Sequence, residues 1–157
     1  MSMRWHPLPA PLDFGTHASM PTKLVEVTTD NTGLPCRKCL TDGQPEQKTA
    51  LFSYDPFLGD SPYRQYGPIF VHAEPECQLA SCASAVEADI PEQQYRWQNL
   101  SVRAFDEKHM MVGYDVVAGR DLIKKAEEVF GQDGVEYLHV HYAGPRCFAV
   151  RIDKTGY

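Results

Sequence analysis

The sequence predicts an α+β fold: a mainly antiparallel sheet of about seven strands, one helix over 120–130 and a C-terminal β-hairpin. Three observations carry this. Proline and glycine, at 12 and 11 of 157 residues, cut the chain into short segments, and short segments bounded by turn residues read as strands. A single stretch, Arg120–Phe130, carries a sustained helical apolar period. The strand candidates are joined by short turns, which suit antiparallel neighbours better than crossovers.

Residues 1–22 hold four of the prolines, Pro7, Pro9, Pro11 and Pro21, and show no period. They are expected to form an irregular wrap around a single α+β domain at 23–157, anchored by Trp5, Leu8, Leu12 and Phe14. Leu24–Thr29 is the first strand candidate, with Val25 and Val27 on one face, and Asp30-Asn31-Thr32-Gly33 is turn chemistry. The short segment Pro35–Leu40 and the loop Thr41–Pro45 lead into a strand at Lys48–Tyr54. A polar loop over Asp55–Tyr66 precedes a strand at Pro68–Ala73. Ala83–Ala88 has helix propensity, bracketed by Pro75 and Pro91. Pro91–Trp97 reads as a short helix with proline near its first position.

Leu100–Phe105 alternates as a strand and Met110–Ala118 follows as another. In Arg120–Phe130, Leu122, Ile123, Ala126, Val129 and Phe130 make one apolar stripe. Asp121 suits the helix start and Gly131 the position just past its end. Val135–Tyr142 and Cys147–Asp153 close the chain as a hairpin around Ala143–Arg146.

Composition excludes several classes. Hydrophobic residues are 43% and charged residues 23%, the balance of a globular chain. No apolar run is long enough to span a bilayer. The formal charge of −6, from 21 acidic against 15 basic residues, argues against nucleic acid and against anionic membrane as partners. The N-terminus lacks the apolar core of a secretory signal, so a cytoplasmic location is expected, with the five cysteines reduced.

Chemistry-bearing residues are scattered along the chain. Cys36-x-x-Cys39 has zinc or redox spacing. However, Gly43 and Pro45 disfavour the helix a redox dithiol wants, and no second C-x-x-C completes a zinc site. His139 and His141 alternate on one strand, so both imidazoles share a face. His72 ends an apolar strand. Arg37, Arg64 and Arg103 could bind an anion, and Arg103, mid-strand between Val102 and Ala104, needs a carboxylate or a bound anion as partner. Matching the apolar faces of the hairpin sets His141 opposite Cys147, Val140 opposite Phe148 and Leu138 opposite Val150, with a thiol beside an imidazole. No nucleophile elbow, P-loop, dinucleotide fingerprint or zincin motif occurs, and no metal or other cofactor is expected.

Several blocks in order, Pro35-Cys36-Arg37-Lys38-Cys39-Leu40, Ser61-Pro62-Tyr63, Gly67–His72, Val102–Asp106, His139-Val140-His141 and Cys147-Phe148, resemble the domain-of-unknown-function 1203 family from about Gly33 to Asp153. The resemblance implies a small bacterial-type cytosolic single-domain protein and carries no activity. The chain departs from the family pattern in a shorter, more proline-rich N-terminus and in Lys38, where a histidine is expected.

The function expected is therefore a pocket for a small, anionic molecule, binding or catalytic. Cys36, His72, His139, His141 and Cys147 are its candidate catalytic groups, and Arg37, Arg64 and Arg103 its binding groups. The alternative is a structural or interaction module, zinc-stabilised or metal-free, with no catalysis.

Overall fold

A computed structural model describes residues 3–9, 23–26, 36–38, 45–72 and 99–155, with 23–26 described by backbone alone. The strands are β1 (Met3–His6), β2 (Lys23–Glu26), β3 (Lys48–Tyr54), β4 (Gly67–His72), β5 (Asn99–Phe105), β6 (Met111–Ala118), β7 (Tyr137–Tyr142) and β8 (Phe148–Lys154). One helix, α1 (Leu122–Phe130), lies between β6 and β7. A five-stranded sheet runs in the order β1-β8-β7-β5-β6 and a three-stranded sheet in the order β2-β3-β4. Every strand pair in both sheets is antiparallel. The fold is the expected α+β class with its C-terminal hairpin, β7–β8.

The N-terminal segment differs from expectation in one respect. Met3–His6 is a strand on the edge of the large sheet, pairing with β8 so that Trp5 lies opposite Ile152 and is buried in the core. Four residues are too few for an alternation to stand out in sequence. Pro7 and Pro9 end this strand, and an edge tolerates them there. Leu8 packs against the small sheet. Leu12, Phe14, the helical candidates between 83 and 97, and Cys39, Cys77 and Cys82 lie outside the described residues.

The predicted helix splits in two. Gly119–Asp121 forms a 3-10 turn, and the α-helix begins at Leu122 without a side-chain cap from Asp121. Leu122, Ala126 and Phe130 are buried and Val129 is packed beside them, but Ile123 is 48% exposed at the rim of the stripe. Gly131 keeps a right-handed φ of −74° and donates its N–H to the Glu127 carbonyl. The left-handed residue that turns the chain into β7 is Gly134, with φ 83°.

α1 covers one face of the large sheet. The core there is built of rows across the strands: Val102, Val140 and Val150 in one, Ala104, Leu138, Ile152 and Trp5 in the next. The small sheet lies toward the opposite face. Ala50, Phe52, Tyr54, Ile69 and Val71 form an apolar surface with Cys36 that packs on Phe148 of β8.

The hairpin register departs from expectation. Leu138 pairs with Ile152, His139 with Arg151 and Val140 with Val150, two residues further along β8 than expected, and His141 then pairs with Phe148. The shift between Val140 and His141 is a β-bulge that leaves Ala149 without a partner. Ala149 and Val150 are both buried in the helix-side core, while Phe148 turns to the small sheet. The turn closes through Arg146 N–H to Tyr142 O at 2.8 Å and Tyr142 N–H to Cys147 O at 3.0 Å, so Cys147 faces Tyr142 and not His141. Pattern matching assumed strict alternation, and one extra residue reverses the side of everything before it.

Phe148→Ala is expected to lower stability by about 3–5 kcal/mol in urea unfolding. It should also raise hydrogen exchange in β3 and β4 before β5. Ile123→Ala, at the exposed rim, is expected to change stability by less than about 0.5 kcal/mol.

Candidate functional site

The face of the large sheet turned away from α1 carries the site. Strand alternation and register line up one row across all five strands: Tyr114 on β6, Arg103 on β5, His139 on β7, Arg151 on β8 and His6 on β1. The row beside it holds Val116, Ser101, His141 and Phe148.

His139 is fully buried, and neither ring nitrogen has a hydrogen-bond partner among the described residues. Four rings enclose it, Phe57 at 4.7 Å between centroids, Tyr137 at 5.1 Å, Phe105 at 5.2 Å and Phe148 at 5.3 Å. Burial holds its pKa well below the usual imidazole value, and His141, Arg151, Arg103 and His109 push the same way. His141, also buried, is pushed down to about 4, by burial first and by Arg103 and Arg37, against a hydrogen bond to the Arg146 carbonyl that favours protonation. That contact is 3.0 Å from Nδ1 to an oxygen that can only accept. Nδ1 therefore carries the hydrogen and Nε2 the lone pair. Both histidines are neutral at pH 7.

The arginines of the face differ in how their charge is balanced. Arg151 lies 3.9 Å over the Tyr137 ring and donates from Nε and Nη2 to Asp153, both at 2.8 Å. Burial alone would raise the Asp153 carboxyl, but the His6 imidazole, with Nε2 2.6 Å from Oδ2, and Arg151 outweigh it and hold it low. Arg103 has no such acid. It is half-buried, its Nε donates to Ser101 Oγ at 3.3 Å, and no carboxylate among the described residues pairs with it. Its pKa is lowered by burial and then by the neighbouring charge of Arg146, yet a guanidinium stays charged.

Arg103 and Ser101 line a cleft of about 660 Å³ between the 62–68 loop and the β7–β8 turn, with Arg146 at its rim. The loop is pinned. Ser61 Oγ donates to the His109 carbonyl at 2.7 Å, and Arg64 Nε donates to buried Asp55 at 2.7 Å. Gly59 sits so close that a Cβ there would lie 2.4 Å from His109 Nε2. His109 Nδ1 in turn lies 2.9 Å from the Tyr137 hydroxyl.

A second group adjoins the first. Arg37 is buried between the sheets, donating from Nε to the Phe148 carbonyl at 2.6 Å and from Nη2 to Cys147 Sγ at 3.0 Å, with its guanidinium 4.8 Å from the Tyr142 ring centroid. Cys36 Sγ accepts the His72 backbone N–H at 3.3 Å.

Of the residues singled out in sequence, Arg103, His139 and His141 come together on one sheet face, and Arg37 and Cys147 touch each other. Arg64 reaches the cleft with its charge met by Asp55, and His72 meets Cys36 through its backbone. The thiol's neighbour is a guanidinium in place of the expected imidazole. Arg146, Ser101 and Arg151 were missed. Arg151 falls on the histidine face once the hairpin register is right, whereas nothing in a turn sequence says where Arg146 points. Among the described residues no group of three or more His, Cys, Asp and Glu is placed to hold a metal ion.

Residues 33–154 match the family model described as Protein of unknown function (DUF1203). The chain belongs to that family. The match takes in every described residue lining the cleft and leaves β1 and β2 outside it. No curated protein and no solved structure matches the chain.

Stability is expected to be full above pH 6.5 and to fall as the pH drops toward 4. The unfolded chain protonates His141 from 6.5 downward, whereas the native one resists until about 4. Over that window the loss from this residue is about 3 kcal/mol. Urea unfolding of the wild type and of His141→Asn at pH 7, 5.5 and 4.5 checks this, with the shallower fall expected in the variant.

Proposed function

We propose that the cleft binds a small anion, with Arg103 as its anchor and Arg146 as the second cationic group. The observation that carries this is a pair of neighbouring guanidiniums, one half-buried, with no carboxylate among the described residues to balance Arg103. Such a pair is costly unless something negative sits between its members. Ser101 offers a hydroxyl beside Arg103. No described residue lining the cleft is acidic. Neutral His139 and His141 add no further positive charge behind the site.

The backbone of Arg146 supports the same reading. Its φ of 68° lies in the left-handed region that favours glycine, and an arginine there strains the turn by about 1 kcal/mol. The strain keeps a guanidinium at the rim where glycine would be easier. Cys147 sits behind this turn, half-buried, with its sulfur accepting from Arg37.

Calorimetric titration at low ionic strength with inorganic phosphate and with acetate tests the proposal. Wild type is expected to bind at least one of them. Arg103→Met is expected to lose at least about tenfold in affinity, while melting no lower than wild type without anion, because a half-buried charge and its repulsion are gone. Arg146→Gly is expected to weaken binding and raise stability by up to about 1 kcal/mol. Absence of any anion response in the wild type, or equal binding by Arg103→Met, would refute it.

A further inference from the structure

We infer that the ligand of this cleft carries a flat ring as well as its anionic group. This rests on the anion-binding reading and adds the chemical class of the molecule. Arg103 and Arg146 occupy the part of the cleft formed by β5 and the β7–β8 turn. The wall facing them is the 62–68 loop, which contributes Tyr63, its ring edge-to-face on Phe105 at 5.9 Å between centroids, and Tyr66. Those rings are 38% and 54% exposed. Their exposure does not reflect a frayed loop, because Ser61 and Arg64 hold the segment to His109 and Asp55. Val116, 61% exposed, extends the apolar surface next to Ser101.

Size points the same way. A phosphate or acetate ion would meet the guanidiniums and leave most of 660 Å³ unfilled, whereas that volume lies in the range of sites that enclose small organic ligands. Aromatic rings offset-stack on flat partners, and a tyrosine does so while keeping its hydroxyl in water. Arg64 contributes no free charge, since Asp55 balances it. Among the described residues lining the cleft, the charges with no carboxylate partner are those of Arg103 and Arg146, which suits one phosphate ester or one carboxylate and not a polyanion.

The test uses the full chain at low ionic strength, with four probes. Adenosine monophosphate and phenylacetate carry a ring, and ribose 5-phosphate and acetate are their ringless counterparts. At least one ring-bearing anion is expected to bind about tenfold more tightly than its ringless counterpart. Which pair shows the advantage separates a phosphate ester from a carboxylate. Tyr66→Ala together with Tyr63→Ala is expected to abolish the advantage and leave binding of the ringless anions unchanged. Equal affinity with and without the ring would overturn this inference and leave the anion site standing. A ring advantage that survives in the double variant would also overturn it. Failure of all four probes would remove both.

Discussion

The bulge at Ala149 is the constraint on which the rest of the structure depends. β8 has one residue more than β7 over the stretch they share, and the extra residue is the smallest apolar side chain available. It lets Ala149 and Val150 both enter the core under α1, and it sends Phe148 to the opposite face. Phe148 there does two things. Its ring joins the small sheet to the rings of His139 and His141, and its carbonyl accepts from buried Arg37. The two sheets are thus held on each other by a residue that strict alternation would have placed under the helix.

The same displacement organises the electrostatics. With the ladder shifted by two residues, His139 falls directly between Arg103 and Arg151. A charged imidazole between two guanidiniums and inside four aromatic rings would be untenable, so burial and like charge act together to keep it neutral. A neutral histidine in turn makes it possible to keep two arginines on one sheet face. Arg151 resolves its charge through Asp153, which His6 shares, so the edge strand β1 completes the charge balance on that side. On the other side the row ends at Tyr114, and no carboxylate among the described residues pairs with Arg103 there.

The cleft is rigid on one wall because of contacts far from its mouth. Asp55 accepts both the Phe57 N–H and the Arg64 side chain, and Ser61 ties the loop to the β5–β6 connection through His109. A wall fixed in this way would lose little entropy on contact with a bound molecule.

Much of this was legible in the sequence. Proline and glycine spacing marked the short strands, alternation put Leu100, Val102 and Ala104 on one side and Arg103 on the other, and the 122–130 periodicity marked the helix. These signals are local: each depends on residues within a turn or a strand of one another. Residues 139 and 141 were readable as sharing a face for the same reason. The lack of a carboxylate beside Arg103 among the described residues, the neighbour of Cys147 and the placement of Arg146 at the cleft were not readable, since each is decided across strands. A single inserted residue leaves the composition and the periodicity of β8 almost unchanged yet turns over the side chains on its N-terminal side. By itself, the sequence determined the elements, their apolar faces and the supply of arginines and histidines. Only the tertiary structure decided which of those charges meet an acid and which do not, because charge pairing is set by register and packing between segments that the chain separates by many residues.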